Sequence, residues 1–125
     1  MDMQEANIGI FDDLEIFRRI AGRTLNILGH RVLIDAGTVP ESLAAIEALG
    51  VSLDVALVDG NLDSRSENMG DGKEIARALR KRFGDEVIIV SISGNGLFEG
   101  ADLAIAKQDT KAISDFIDGL PTRAS

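Results

Sequence analysis

Asp54-Val55-Ala56-Leu57-Val58-Asp59 is the stretch on which the fold turns. Between two aspartates lies an uninterrupted apolar run that begins and ends on valine. It has the length of a strand rather than a helix, and a run without polar alternation suits a strand buried on both faces. Outward from it lie further runs of the same kind: Ile8-Gly9-Ile10-Phe11, Arg31-Val32-Leu33-Ile34 and Val87-Ile88-Ile89-Val90-Ser91-Ile92, with Leu103-Ala104-Ile105-Ala106 as a weaker fifth.

Helical periodicity fills the intervals. From Leu14 to Leu28, the residues Leu14, Phe17, Ile20, Ala21, Leu25 and Leu28 recur at i, i+3, i+4 spacing and predict one apolar face. Arg18, Arg19 and Arg23 fall largely off it, and Gly29 is a stop signal. Pro40 suits a first helical turn and opens a helix to Leu49, closed by Gly50. Lys73 to Phe83 is a third helix, ending at Gly84. Thr110 to Leu120 is a fourth, with Asp109 or Thr110 as N-cap and Pro121 behind it. Strand and helix thus alternate, except that only a loop separates the last two strands. This order predicts an α/β fold, a doubly wound, five-stranded parallel sheet with right-handed crossovers. The size suits the flavodoxin-like strand order 2-1-3-4-5, whose ligands gather at the carboxyl ends of the strands. One domain is expected over residues 1–125, with its core at about 7–120 and a frayed tail from 122.

Composition narrows the function. The chain has 125 residues, 45% of them hydrophobic and 27% charged, with a net charge of −8. That balance argues against a duplex-binding module, which needs a basic face, so no nucleic-acid partner is expected. The absence of cysteine excludes disulfides, thiolate metal sites and cysteine nucleophiles. Met1 to Asn7 lacks an apolar signal core, and no apolar run approaches the roughly 20 residues needed to cross a bilayer. No membrane partner and a cytoplasmic location are therefore expected.

The strand ends hold the chemistry. The first strand runs into Asp12-Asp13, the third into Asp59, the fourth into Ser93-Gly94 and the fifth into Lys107. In a 2-1-3-4-5 sheet these strands are neighbours, so the residues converge on one rim. Three carboxylates on one rim repel each other and invite a cation. Magnesium fits, because it takes oxygen ligands, needs one or two carboxylates and fills its other positions with water and phosphate. Asp59 could then act as nucleophile and form an aspartyl phosphate. Lys107 would neutralise one phosphoryl oxygen and Ser93 would donate its hydroxyl to another. Singly, Asp13 reads equally well as a cap of the first helix, Lys107 as a solvated lysine and Ser93 as a turn residue. Their joint placement is what argues for a site.

In this order, Ile8 to Asp13, Asp54 to Asp59, Ser93-Gly94 and Gly100-Ala101-Asp102 running to Lys107 resemble the receiver domain of two-component response regulators, the CheY-like family. The resemblance extends from Ile8 to Leu120, and Gly70-Asp71-Gly72-Lys73-Glu74 looks like the family's approach to its third helix. It implies that Asp59 is the phosphorylated aspartate. Asp12, Asp13 and Asp59, with the backbone carbonyl of Asn61, would hold Mg2+, or Mn2+ in its place, with Asp13 the more direct ligand of the acidic pair. Ser93 would be the switch hydroxyl, Gly94 the small residue leaving room for phosphate, and Lys107 the family's lysine. Asn61 and Asn95 match positions that tune how long the phosphate survives. Ser91 competes with Ser93, but a glycine follows Ser93 whereas bulky Ile92 follows Ser91, which would sit inside the strand.

The chain departs from the family in several places. Residues 95–102 are too few for the usual fourth helix, so a loop or single turn is expected there. The strand-five aromatic, three positions before the lysine, is replaced by Ala104. The loop after Asp59, with the polar stretch 61–68, is longer than usual and is expected to be mobile. Gln108 replaces the proline that usually follows the lysine, so a trans peptide bond is expected.

The reading that follows is a stand-alone receiver and not an enzyme, apart from slow autodephosphorylation. Its donor would be a histidine kinase or histidine phosphotransfer protein, and its output an unknown downstream protein or a phosphorelay. Monomer or weak homodimer is expected. Arg18, Arg19 and Arg23 could contact an acidic donor surface or simply be solvated. His30, the only histidine, follows Gly29 and is expected at the surface. A pseudo-receiver that binds partners without phosphorylation is the alternative. A small phosphatase or nucleotide enzyme fits less well, since there is no Walker-type or Gly-x-Gly-x-x-Gly loop and Asn61 stands where a second catalytic aspartate would be.

Overall fold

The computed structural model describes residues 5–60, 70–92 and 96–120. Five strands form one parallel sheet: β1 (Asn7–Phe11), β2 (Arg31–Ala36), β3 (Val55–Val58), β4 (Ile88–Ser91) and β5 (Leu103–Ala104). Their order is β2-β1-β3-β4-β5, as the alternation of elements predicts. The helices are α1 (Glu15–Ile27), α2 (Val39–Ala48), α3 (Gly70–Phe83) and α4 (Thr110–Asp118), with a short 3-10 turn at Gly84–Glu86. No helix occurs in the described stretch 96–102 between β4 and β5, in keeping with the loop or single turn expected there.

The unbroken apolar runs are explained by two cores, one on each face of the sheet. Along β3, Val55 and Leu57 point to one side and Ala56 and Val58 to the other, all fully buried. The first side packs with Ile8, Ile10 and Val90 against Phe17, Ala21 and Leu25 of α1 and Ile113 and Ile117 of α4. The second packs with Phe11 and Ile89 against Ile46 of α2 and Ile75, Leu79 and Phe83 of α3. Period-two alternation thus feeds two layers at once, and each fully buried aliphatic side chain stabilises by about 1.5–3 kcal/mol relative to exposure.

Local signals account for the helix starts. Thr38 caps α2 by accepting from the Glu41 amide, with proline in the first turn. Asp109 caps α4 by accepting from the Ala112 amide at 3.0 Å. In α1 the cap position is Leu14, without a side-chain bond, so the carboxylate of Asp13 is not used in capping. The Lys107–Gln108 bond is trans, as are the other described peptide bonds.

Two expectations need correction. The apolar face of the first helix is narrower than predicted: Phe17, Ala21 and Leu25 are buried, whereas Leu14, Ile20 and Leu28 are exposed. Leu14 and Leu28 lie just outside the helical span, where the backbone leaves the helical path, and Ile20 lies off the inner seam. His30 is not a surface residue; it is 3% exposed at the start of β2. Its Nδ1 accepts from the Ala6 amide at 3.1 Å and its Nε2 lies 2.8 Å from Asp118 Oδ1. With Nδ1 accepting, the neutral ring carries its proton on Nε2 and donates it to Asp118, tying the start of the sheet to the end of α4.

Candidate functional site

Backbone ladder bonds carry the acidic residues to one rim. The Asp12 amide donates to Ala36 O at 3.0 Å and the Asp59 amide to Phe11 O at 2.9 Å, so both side chains are fixed by the ends of β1 and β3. Asp12 is fully buried, Asp59 is 8% exposed and Asp13 is exposed. Carboxylate oxygens of the three lie within 4.8 Å of one another. Asp12 Oδ1 accepts from the Leu14 amide at 2.7 Å, which fixes the turn leading into α1.

Lys107, just past β5, completes the cluster. Its Nζ lies 2.6 Å from Asp12 Oδ2 and 3.0 Å from Asp59 Oδ2. The contact with Asp59 is a hydrogen bond. The contact with Asp12 is an ion pair without hydrogen-bond alignment, and that buried oxygen has no hydrogen-bond partner. Lys107 also sits 5.5 Å from the centre of the Phe17 ring, whose electron-rich face favours a cation.

These contacts set the proton affinities. Burial pushes the Asp12 carboxyl up, and the neighbouring Asp59 charge adds to it; Lys107 and the Leu14 amide offset only part. Burial would lower the Lys107 ammonium, but Asp12 and Asp59 outweigh it and hold the lysine above its ordinary value. Lys107 is therefore charged at neutral pH.

The site fits a hard divalent cation. Three carboxylates bring ligand oxygens within 4.8 Å of one another against the single charge of Lys107, and the donor set is all oxygen. Asp12, Asp13 and Asp59 are the residues that would hold such an ion.

Of the residues expected from sequence, Asp12, Asp13, Asp59 and Lys107 come together. Asn61, Ser93, Gly94 and Asn95, together with the polar stretch 61–68, lie outside the described residues. Ser91 is fully buried on β4, and its hydroxyl donates to Gly96 O at 2.6 Å, which is a structural use.

Sequence reasoning missed the supports. Arg18, read only as a surface cation, donates from a terminal guanidinium nitrogen to the Asp12 carbonyl at 2.7 Å and from Nε to Asp35 Oδ1 at 2.5 Å. It ties the acidic turn to the end of β2. Phe98 is buried between β3 and α3, where a Cβ on Gly72 would meet its ring at 2.9 Å and the Gly60 Cα at 2.8 Å. The Gly72 amide donates to Gly60 O at 2.9 Å, so only glycine allows α3 to start this close to Asp59. The glycine of Gly70-Asp71-Gly72 was the available signal, but not its contact.

No family model matches the chain, and no curated protein does. Solved structures match over most of its length. A CheY-like response regulator receiver domain from Methylobacillus flagellatus superposes with a TM-score of 0.70 at 20% identity, covering 90% of this chain and 96% of that one. The Francisella response regulator 1452 receiver domain gives 0.67 at 20% identity, covering 91% and 94%. A chain in the complex of the phosphorylated P1 domain of CheA3 with CheY6 from R. sphaeroides gives 0.66 at 19% identity, covering 89% and 93%. At these identities the likeness is one of fold. With its β2-β1-β3-β4-β5 sheet and an acidic rim facing a lysine, the chain has the CheY-like receiver fold.

Proposed function

We propose that this chain is a Mg2+-dependent phospho-receiver whose acceptor is Asp59. The observation that carries the reading is the bridging of Asp12 and Asp59 by Lys107 beside Asp13 at the strand ends. A phosphohistidine of a histidine kinase or phosphotransfer protein is the donor. That partner class is supported by the fold likeness to a chain from a receiver–kinase-domain complex. An Asp59 carboxylate oxygen attacks phosphorus, the new O–P bond forms as the N–P bond breaks, and the departing imidazole takes a proton from solvent. Lys107 then exchanges its Asp59 contact for a phosphoryl oxygen, and Ser93 donates its hydroxyl to another. Asp12, Asp13 and Asp59, with the Asn61 carbonyl, would hold a magnesium ion, which would supply charge neutralisation, the dominant requirement of phosphoryl transfer. Asn61 and Asn95 tune the return, in which water attacks phosphorus and regenerates the carboxylate. The chain turns over no other substrate; it acts in the cytoplasm by binding a downstream protein or relaying phosphate.

The absent fourth helix and the alanine at 104 keep a second reading open, a pseudo-receiver that binds without phosphorylation. Acetyl phosphate with Mg2+, followed by intact mass, separates the two. A phosphoryl adduct that disappears in Asp59→Asn and on chelation is expected. No adduct, also with a cognate kinase, would leave the pseudo-receiver.

A further inference from the structure

Among the described residues, one side of α3 beside the 96–101 loop is left open, and that side is basic. Between α3 and the 96–101 loop runs a groove of about 430 Å³ lined by Lys73, Arg77, Arg80 and Lys81, with Glu99 the one acid. Its floor is closed where Gly100, at φ +102°, lets the loop approach Ala76, whose Cβ would sit 3.0 Å from a Cβ placed there. Lys73, Arg77 and Lys81 recur at i, i+4, i+8 and so share one helix face. Arg80 is committed to the carbonyls of Gly84 and Val87 and to the Asp102 carboxylate. The other three make no ion pair or hydrogen bond among the described residues.

Local helix energetics do not explain this stripe. Arg80, Lys81 and Arg82 occupy the last turn, where the helix dipole favours cations. Lys73 stands near the opposite end, where the dipole disfavours them, and like charges at i, i+4 repel. The chain as a whole carries −8, so the stripe is a local reversal of sign. Screening beyond a Debye length of roughly 8 Å makes a short ligand respond to these cations rather than to the net charge. Leu97 is 58% exposed on the same loop and offers an apolar contact.

We propose that this groove docks a short acidic segment of a partner protein. Lys73, Arg77 and Lys81 meet its carboxylates and Leu97 meets an apolar side chain. Nucleic acid is disfavoured because, among the described residues, no aromatic side chain lines the groove for base stacking. The proposal does not depend on Asp59 accepting phosphate and is tested on the unphosphorylated chain.

The probe is a fluorescein-labelled, glutamate-rich peptide with one central leucine, read by anisotropy. A lysine-rich counterpart and a single-stranded DNA of equal charge serve as comparisons. Saturable binding of the acidic peptide is expected, weakened at least about tenfold in the double variant Arg77→Glu, Lys81→Glu, as for loss of complementary charge pairs. The same charge change on α1, Arg19→Glu with Arg23→Glu, should leave binding within about twofold. Amide shift mapping on the unmodified protein should place the peptide along 73–81 and 96–101. Absence of binding, equal loss in the α1 variant or shifts elsewhere would overturn the proposal. Tighter DNA binding with the same variant dependence would also overturn it and assign the groove to nucleic acid.

Discussion

Asp12 is the residue on which the candidate site depends, because it is fully buried and faces both a like charge and a cation. Its carboxyl binds a proton more readily folded than unfolded, chiefly through burial. The folded state is therefore favoured below the unfolded carboxyl pKa, and that contribution is lost as pH rises through the raised folded value. Without divalent metal, Asp12→Asn should thus stabilise the protein at neutral pH. The gain should shrink toward zero as pH falls into the carboxylate range. Adding Mg2+ should reverse the order, since only the unmodified site gains by binding, by about 2.7 kcal/mol at a hundredfold excess over Kd. Urea midpoints of both proteins across pH, with and without Mg2+, check this; a variant less stable at every pH without metal would contradict it. Arg18 supports the same turn from the Asp12 carbonyl, a contact invisible in a sequence where it reads as one arginine among three.

The segment between β4 and β5 shows what replaces a helix. Residues 96–101 have no regular structure, yet Phe98 within them is 2% exposed. Its ring fills the space over Gly72, and the Ser91 hydroxyl holds the Gly96 carbonyl. A single buried aromatic anchors the loop. Phe98→Ala should cost about 3–5 kcal/mol in urea unfolding, the range for emptying a buried aromatic site. It should also raise amide exchange along 96–101. A cost below about 0.5 kcal/mol, typical of surface changes, would mean that the loop is held some other way.

The sheet, the acidic rim and the Phe98 anchor together predict how the protein would answer the phosphorylation of Asp59 proposed above. The end of β3 meets α3 at Gly60 and Gly72, and Gly72 lies against Phe98 of the 96–101 loop, whereas strand five carries the small Ala104. Amide exchange on phosphorylation with acetyl phosphate should therefore change mainly along 96–101 and the start of α3. Changes concentrated on α4 would contradict this. The apolar runs sufficed to read the strands, because burial on both faces leaves an unbroken local pattern, and strand order followed from the alternation with helices. Asp12, Asp13, Asp59 and Lys107 were readable as a set because strand ends in a parallel sheet meet on one rim. The departures at 95–102 and 104 were legible only against the family that the motifs resemble. Other features rest on contacts between residues far apart in the chain, which no local period encodes. They are the burial of His30 between Ala6 and Asp118, the Arg18 brace, the outward turn of Leu14, Ile20 and Leu28, the seat of Phe98 on Gly72 and the basic groove beside α3. Periodicity records which side of an element is apolar; only packing decides what each side meets.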